Sequence, residues 1–173
     1  DKLARKGLIS IMDWGKYGFE VVGDVQNGRK ALEFLKDNEV DIVFTDIDMP
    51  EIDGIELMKR CKKEYEKGND VVVVLSAMGD VTDRLIDKAK EINETPSERE
   101  MDMLFTIGEQ MSVALMAMAL EGLGVPAVSL NAFQAKIHTT SVHGDAKITH
   151  IETERIREEL AQKKIVIVTG FQG

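Results

Sequence analysis

Apolar and polar stretches alternate along this chain in a way that predicts strands and helices in α/β order. Short and almost wholly apolar runs predict buried strands at residues 41–45, 71–75, 125–130 and 165–169. Because parallel strands need a crossover helix between them, the pattern predicts a three-layer α/β fold with a mostly parallel sheet. We expect strands 41–45 and 71–75 to be neighbours in that sheet.

The stretches between these runs are amphipathic and predict helices. The expected helices span residues 2–12, 27–36, 53–67, 81–93, 97–122 and 153–162. Residues 19–25 predict one more short strand, and residues 131–152 are rich in loop-forming residues. Ser97 and Glu100 have the spacing of a capping box, which predicts the start of the long fifth helix.

The composition is that of an ordinary globular protein, and the charge excludes some partners. Of the 173 residues, 43% are hydrophobic and 31% are charged, with a formal net charge of -9. Nucleic acid and anionic membranes both require a positive surface. The longest uncharged apolar stretch, residues 111–120, is about half as long as a bilayer span. We therefore expect no nucleic-acid partner and no membrane partner.

Cys61 is the single cysteine of the sequence. A single thiol excludes an intrachain disulfide and argues against a zinc site built from thiolates. Free cysteine is typical of a reducing compartment, so we expect a cytoplasmic protein.

Several acidic residues follow the predicted strand at 41–45, in the segment VDIVFTDIDMPEIDG. Open parallel sheets gather functional groups where their strands end. Together with RKGLISIMDW, GDVQNGRKALEFL and DGIELMKRCKKEY, this segment resembles the response-regulator receiver family over residues 1–66. The resemblance implies a flavodoxin-like fragment, a role in two-component signalling and a histidine kinase as partner.

The receiver resemblance implies roles for three residues. Asp46 would be the phosphoacceptor and a Mg²⁺ ligand, the backbone carbonyl of Asp48 would be a second ligand, and Ser76 would be the hydroxyl switch. The strand that carries the family's acidic pair and the strand that carries its lysine do not occur in this sequence. With so few hard oxygen ligands, we expect Mg²⁺ to bind weakly.

A second set of motifs runs from about residue 65 to residue 173. In order, they are GNDVVVVLSAMGDVTDRLIDKAKEI, SEREMDML, IGEQMSVALMAMAL, SLNAFQAKI, SVHGDAKI and IVIVTGFQG. Together they resemble the amino-acid-kinase domain of aspartate kinase. That family phosphorylates the β-carboxylate of L-aspartate with ATP, so the resemblance implies a transferase of amino-acid biosynthesis that uses ATP and Mg²⁺.

Three residues match the amino-acid site of the kinase family. The resemblance implies that Ser76 and Thr82 donate hydroxyls to the substrate and that Glu109 receives its ammonium group. A zwitterion needs such donors and such an acceptor. The family's opening motif K-F-G-G-T-S, with its phosphate-binding lysine, and its adenine-binding portion do not occur in this sequence. Because phosphoryl transfer depends on holding the phosphates, we expect no turnover.

The two resemblances meet in the segment KKEYEKGNDVVVVLSA, which satisfies both families. We therefore expect two fragments, residues 1–66 and 67–173, with the possibility of one shared sheet. Three origins stay open: an engineered or recombined hybrid, a truncated product or assembly artefact, and a binding module without chemistry. The missing opening strands predict self-association through an unpaired sheet edge, for which residues 71–75 are the candidate.

Overall fold

A computed structural model describes residues 6, 9–10, 13–26, 28–38, 40, 42 and 54–171. By its internal contacts the chain divides into two compact units, residues 1–53 and 54–173. The strand expected at residues 41–45 and most of the helix expected at residues 2–12 lie outside the described residues. The expected pairing of strands 41–45 and 71–75 therefore stays a prediction.

In the described part of the first unit, residues 6, 9 and 10 are helical, and two further helical segments have described bounds. A 3₁₀ helix spans Trp14–Tyr17 and ends at Gly18, whose φ of 81° suits glycine. Helix α1 spans Gly28–Asp37, close to the predicted bounds. Residues 19–25 form no strand, so the prediction of a strand there is wrong. The large apolar side chains of that segment are about half exposed, because no described strand pairs with it.

The second unit contains four helices and five strands. They are α2 (Gly54–Glu66), β1 (Val72–Leu75), α3 (Val81–Ile92), α4 (Glu98–Gly122), β2 (Ala127–Leu130), β3 (Ile137–Thr139), β4 (Ile148–Ile151), α5 (Glu154–Ala161) and β5 (Ile165–Thr169). The elements predicted between residues 53 and 169 are all present, with bounds that differ by at most about two residues. The antiparallel hairpin of β3 and β4 was not predicted, since residues 131–152 were expected to form loops.

The central sheet of this unit has three parallel strands in the order β1–β5–β2. All five side chains of β5 are buried, so both faces of the central strand are covered. Val166 and Val168 pack with Ile156 and Leu160 of α5. Since side chains alternate along a strand, Ile167 points to the other face, where α4 contacts β5. The prediction of a three-layer α/β fold with a mostly parallel sheet is confirmed.

Strand β1 lies at one edge of the described sheet, and β5 is its partner there. Val72 and Val74 are 47% and 61% exposed. Both valines lie on the face that α5 covers at β5, because Val72 is in register with Val166. An apolar strand at an edge is what the predicted self-association requires, and the association itself stays a prediction.

Helix α4 passes the length and composition test for a membrane span and is the one helix among the described ranges to do so. It contacts α2, α3 and all three strands of the parallel sheet. It also carries two buried carboxylates, Asp102 and Glu109. These contacts make α4 the core helix of the second unit.

The start of α4 is where the sequence places it, but the predicted capping box does not form. Ser97 has the extended backbone of an N-cap residue, with φ of -69° and ψ of 147°, and its side chain makes no cap hydrogen bond. Its backbone carbonyl instead accepts the N–H groups of Glu100 and Met101. Helix α4 therefore starts on backbone hydrogen bonds.

Candidate functional site

Three segments of the second unit meet at the carboxyl edge of the parallel sheet. The loop after β1 begins at Ser76, the loop after β5 begins at Gly170, and α4 brings Glu109 to both. Parallel strands end at the same edge of a sheet, and ligand sites of open α/β folds form there. This edge is the candidate site.

Glu109 is a buried carboxylate whose oxygens accept three backbone hydrogen bonds. Its Oε1 accepts the N–H of Ala77 at 3.2 Å, and its Oε2 accepts the N–H groups of Gly170 and Phe171, each at 2.7 Å. The residue is 8% exposed. A carboxylate taken out of water requires such donors to stabilise its charge. Glu109 thereby ties the loops after β1 and β5 to helix α4.

This arrangement limits what else Glu109 can bind. A carboxylate offers about four lone-pair positions, and the three backbone donors occupy all but one of them. The remaining position is on Oε1. An ammonium group at this site would donate one hydrogen bond to Oε1 of Glu109 and would also be attracted by the charge of the carboxylate.

Ser76 and Glu109 both lie close to Gly170. A Cβ built on Gly170 would lie 3.3 Å from Oε2 of Glu109, 3.3 Å from the carbonyl oxygen of Leu75 and 3.5 Å from Oγ of Ser76. A side chain here would be in tight contact with the oxygens of Glu109 and Leu75 and in ordinary contact with Ser76. The structure thus brings an exposed hydroxyl and a buried carboxylate to the same backbone position.

Thr82 lies at the same edge, as the second residue of α3, and is exposed. The loop from β1 turns at Gly79, which has φ of 55°. The start of α3 packs closely on α4, since a Cβ on Gly108 would lie 3.1 Å from both Ala77 Cβ and Val81 Cγ1. Thr82 follows Val81, which packs on α4 beside Gly108, and convergence of all three predicted residues stays a prediction.

A second buried carboxylate of α4, Asp102, was missed by the sequence interpretation. It is 4% exposed, its Oδ2 accepts the N–H of Gly144 at 3.0 Å, and it lies 3.2 Å from Nδ1 of His143. Asp102 precedes Glu109 by two helical turns, about 10 Å along the axis. The seven-residue spacing of two acids in an apolar helix was the signal that could have identified it. The two buried carboxylates of α4 thus hold different loops: Glu109 holds the loops after β1 and β5, and Asp102 holds the loop around residue 144.

An aromatic contact supports the same edge. Phe171 packs edge-to-face against Phe105 of α4, with ring centroids 5.9 Å apart. Pairs of this geometry are favourable because the positive edge of one ring meets the negative face of the other. The loop after β5 is therefore fixed to α4 by its side chain as well as by its backbone.

The receiver-derived site residues Asp46 and Asp48 lie outside the described residues, so the predicted Mg²⁺ site is not placed. Within the described ranges, no group of three or more His, Cys, Asp or Glu side chains has the geometry to hold a metal ion.

A cleft of about 230 Å³ lies at the opposite, amino end of the sheet. It is lined by Tyr65, Glu66, Gly68, Asn69, Asp70, Leu160, Lys163 and Lys164. Next to it, the buried carboxylate of Glu159 is paired with Lys164 at 2.7 Å and with Arg155 at 2.6 Å. These charges satisfy one another, and the cleft is separate from the carboxyl-edge site.

Two family profiles match the sequence, and their matches overlap. The profile of the amino acid kinase family covers residues 51–173, and that of the response regulator receiver domain covers residues 1–95. The chain belongs to both families. The shared segment, residues 51–95, contains α2, β1, Ser76 and α3. Both resemblances inferred from the motifs are confirmed.

Relatives of the amino acid kinase part are aspartokinases. The chain is 56% identical to the aspartokinase of Geobacillus stearothermophilus over 114 residues, which are 66% of this chain and 28% of that protein. It is 50% identical to the aspartokinase of Mycolicibacterium smegmatis over 115 residues, 66% of this chain and 27% of that protein. The chain thus spans little more than a quarter of the length of these curated relatives.

A solved structure supports the same relationship. The crystal structure of aspartate kinase from Synechocystis matches with a TM-score of 0.58 and 40% sequence identity. The match covers 69% of this chain and 19% of that one. The second unit therefore has the fold of an amino acid kinase in part.

Proposed function

We propose that this chain is a fragment of an aspartate-kinase catalytic domain that keeps part of the amino-acid site and does not transfer phosphate by itself. The observation that carries the proposal is that the Ser76 hydroxyl and the Glu109 carboxylate both lie close to Gly170. Both residues match the amino-acid site of the kinase family. The aspartokinase relatives, at about 50% identity over this part, support the same assignment.

The ammonium group of L-aspartate is complementary in charge to Glu109, and its carboxylates can accept hydrogen bonds from the hydroxyls at this edge. The hydroxyls of Ser76 and Thr82 would donate to its carboxylates, and the open position on Glu109 Oε1 would accept one N–H of its ammonium group. Both hydroxyl residues are exposed, so a ligand can reach them. Because Glu109 is already bound by three backbone donors, we expect weak binding, with a dissociation constant of about 1 mM or above.

We expect ATP and Mg²⁺, which the family uses, to bind poorly to the residues that the structure describes. Those residues include no cluster of metal ligands. The sequence does not contain the glycine-rich opening motif with its phosphate-binding lysine. Without groups to orient and neutralise the phosphates, transfer to aspartate has no route, since positioning and charge stabilisation supply most of its catalysis.

Calorimetric titration of the full chain with L-aspartate tests the binding part of the proposal. Ser76→Ala should weaken binding, whereas Thr95→Ala, at an exposed threonine between α3 and α4, should leave it unchanged. Succinate, which lacks the ammonium group, should bind more weakly than L-aspartate. Equal binding by the two variants would contradict the assignment of Ser76. Release of ADP from ATP that depends on aspartate would contradict the proposed lack of turnover.

A second candidate function is a receiver module phosphorylated on Asp46, and the receiver match over residues 1–95 favours it. Incubation with acetyl phosphate and Mg²⁺ followed by intact-mass measurement tests it. A phosphoryl adduct that is lost in Asp46→Asn and kept in Asp48→Asn would place this function first, because Asp48 would contribute its backbone carbonyl alone. In that case a histidine kinase would be the partner.

A recombined or engineered hybrid with no native activity is the third candidate. Membership of two families with an overlap at residues 51–95 supports it. The complete coding sequence with its flanking regions is the observation that separates a hybrid from a natural fragment. We expect a cytoplasmic protein if the chain is an aspartate-kinase fragment or a receiver module. If it is an aspartate-kinase fragment, we expect its parent enzyme to act in amino-acid biosynthesis.

A further inference from the structure

Two histidines stand side by side on the hairpin of β3 and β4. His138 is in register with His150, so both side chains lie on the same face of the hairpin. Their rings are stacked, with centroids 5.9 Å apart and an angle of 24° between the ring planes. Both residues are exposed. The hairpin therefore presents two imidazoles to solvent as a pair.

A carboxylate fixes the protonation of one of these rings. Nε2 of His138 lies 2.9 Å from Oε1 of Glu152. Because an ionised carboxylate only accepts hydrogen bonds, Nε2 carries the hydrogen and donates it. In the neutral ring the lone pair is then on Nδ1, which is the nitrogen left to bind a ligand. Histidines that bind metal ions almost always donate their other N–H to a carboxylate, a carbonyl or water, and His138 has this arrangement.

The spacing of the two rings is close to what one metal ion requires. Zinc binds imidazole nitrogen at about 2.0–2.1 Å, so two imidazoles on one tetrahedral ion have centroids about 5 Å apart. The observed separation is 5.9 Å. Rotation about the χ angles of two exposed side chains can supply the difference of about 1 Å, because such rotations are fast. The register of the hairpin thus brings two ligands within chelating distance.

The charges around the pair allow a cation to bind. Nζ of Lys136 lies 2.8 Å from Oε2 of Glu152, and this ion pair has no net charge. The carboxylates of Glu154 and Glu158 also attract Lys136. Imidazole is a ligand for zinc, copper and nickel, whereas magnesium and calcium prefer oxygen. A divalent transition-metal ion is therefore the class of ligand that suits the pair.

We propose that His138 and His150 form a binding site for a divalent transition-metal ion such as Zn²⁺. His138 binds the ion through Nδ1, Glu152 orients the ring of His138 from outside, and water completes the coordination. Only two protein groups are ligands, which agrees with the lack of any group of three or more metal-binding side chains among the described residues. Because closed structural zinc sites have four protein ligands, we expect weaker binding here, with a dissociation constant of about 100 μM.

Titration of the full chain with ZnCl₂ near neutral pH, followed by NMR of the histidine rings, tests the site. Zn²⁺ should shift the ring signals of His138 and His150 together, with half-saturation at about 100 μM. His138→Ala and His150→Ala should each weaken binding at least about tenfold, because one imidazole remains. The chain has three histidines, so His143→Ala is the matched control and should bind Zn²⁺ as the wild type does. MgCl₂ should leave the ring signals unchanged.

Glu152→Gln tests the positioning role of the carboxylate. The ring nitrogen shifts of His138 report which nitrogen carries the hydrogen, and the wild type should show hydrogen on Nε2 before Zn²⁺ is added and a metal-bound Nδ1 afterwards. Glu152→Gln should reduce this preference and weaken Zn²⁺ binding by about tenfold. An unchanged tautomer together with an unchanged affinity would overturn this part of the proposal.

Three outcomes would overturn the site itself. The first is the absence of any shift of the ring signals at about 1 mM Zn²⁺. The second is wild-type affinity in either His138→Ala or His150→Ala, which would place the metal ion elsewhere in the chain. The third is loss of binding in His143→Ala alone, which would assign the ion to the pair of Asp102 and His143. Amide shifts of the hairpin without metal should match the wild type away from each changed residue, which secures the comparison.

Discussion

The backbone N–H of Gly170 donates to Oε2 of Glu109 at 2.7 Å and joins the end of β5 to the middle of α4. Glu109→Gln should weaken this junction, because an amide has one acceptor oxygen and turns its NH₂ group toward the remaining backbone donors. We expect the free energy of unfolding in urea to fall by about 1–3 kcal/mol. Glu121→Gln, at an exposed position of the same helix, should change it by less than about 0.5 kcal/mol. Equal effects of the two variants would show that the three hydrogen bonds add no stability.

Gly108 and Gly122 of α4 form a matched pair for a second prediction. A Cβ on Gly108 would lie 3.1 Å from atoms of Ala77 and Val81, whereas a Cβ on Gly122 would meet nothing within 4 Å. Gly108→Ala should lower stability by about 1–3 kcal/mol through overpacking, reduced by the helix propensity that alanine gains. Gly122→Ala should be neutral or stabilising by up to about 1 kcal/mol. If the melting temperatures of the two variants shifted in the same direction, the close packing of Ala77 and Val81 against Gly108 would be contradicted.

The carboxylate of Asp102 should control the loop around residue 144. Asp102→Ala removes the acceptor of the Gly144 N–H, so we expect faster hydrogen exchange at that amide and a loss of about 1–2 kcal/mol in stability. His143→Ala should have a smaller effect, because the histidine side chain is half exposed. Unchanged exchange at Gly144 in Asp102→Ala would mean that the loop is held by other contacts.

The stability of the β3–β4 hairpin should depend on pH because of three neighbouring side chains, those of Lys136, His138 and Glu152. The hydrogen bond from Lys136 lowers the pKa of Glu152, with a further contribution from His138, and the hydrogen bond to Glu152 raises the pKa of Lys136. The stability that Glu152 contributes to the folded hairpin is present above its unfolded-state pKa. It is lost as the pH falls through the lowered pKa of the folded state. The stability that Lys136 contributes is present below its own unfolded-state pKa. It is lost as the pH rises through the raised pKa of the folded state.

We therefore expect the hairpin to be most stable at pH values between these two transitions. NMR shifts of the amides of Lys136 and Glu152 should report a transition on the acidic side, and Glu152→Gln should remove it. About 0.5 M NaCl should reduce the effect, since these exposed charges are screened by salt. An acidic transition that persists in Glu152→Gln would assign it to another carboxylate.

The strength of the local pattern decides which elements the sequence could predict. Strand β5 was predicted at its observed bounds, because four apolar residues and a threonine stand between two lysines and a glycine. The hairpin was missed because β3 has three residues and every residue of β4 is exposed, so neither forms an apolar run. The run at 19–25 was misread because a strand also needs a partner, which a local pattern does not show.

The site was predictable in its residue types and not in its hydrogen bonds. Glu109 was identified from the GEQ motif, but its three donors are backbone N–H groups of Ala77, Gly170 and Phe171. Every residue except proline has such a group, so no sequence pattern singles these out. Asp102 was overlooked for the same reason, because its main donor is the backbone of a glycine far away in the sequence.

Strand β5 lies between β1 and β2 in the sheet although it follows both in the sequence. During synthesis, β1 and β2 therefore lack β5, the strand that pairs with both in the described sheet, until residues 165–169 have left the ribosome. At about 5–20 residues per second, the interval after β1 lasts on the order of 5–20 s. For that time the valines of β1 form an unpaired, aggregation-prone segment of a nascent chain. Yield in cells should therefore depend on translation speed and chaperone supply more strongly than the stability of the folded protein would indicate.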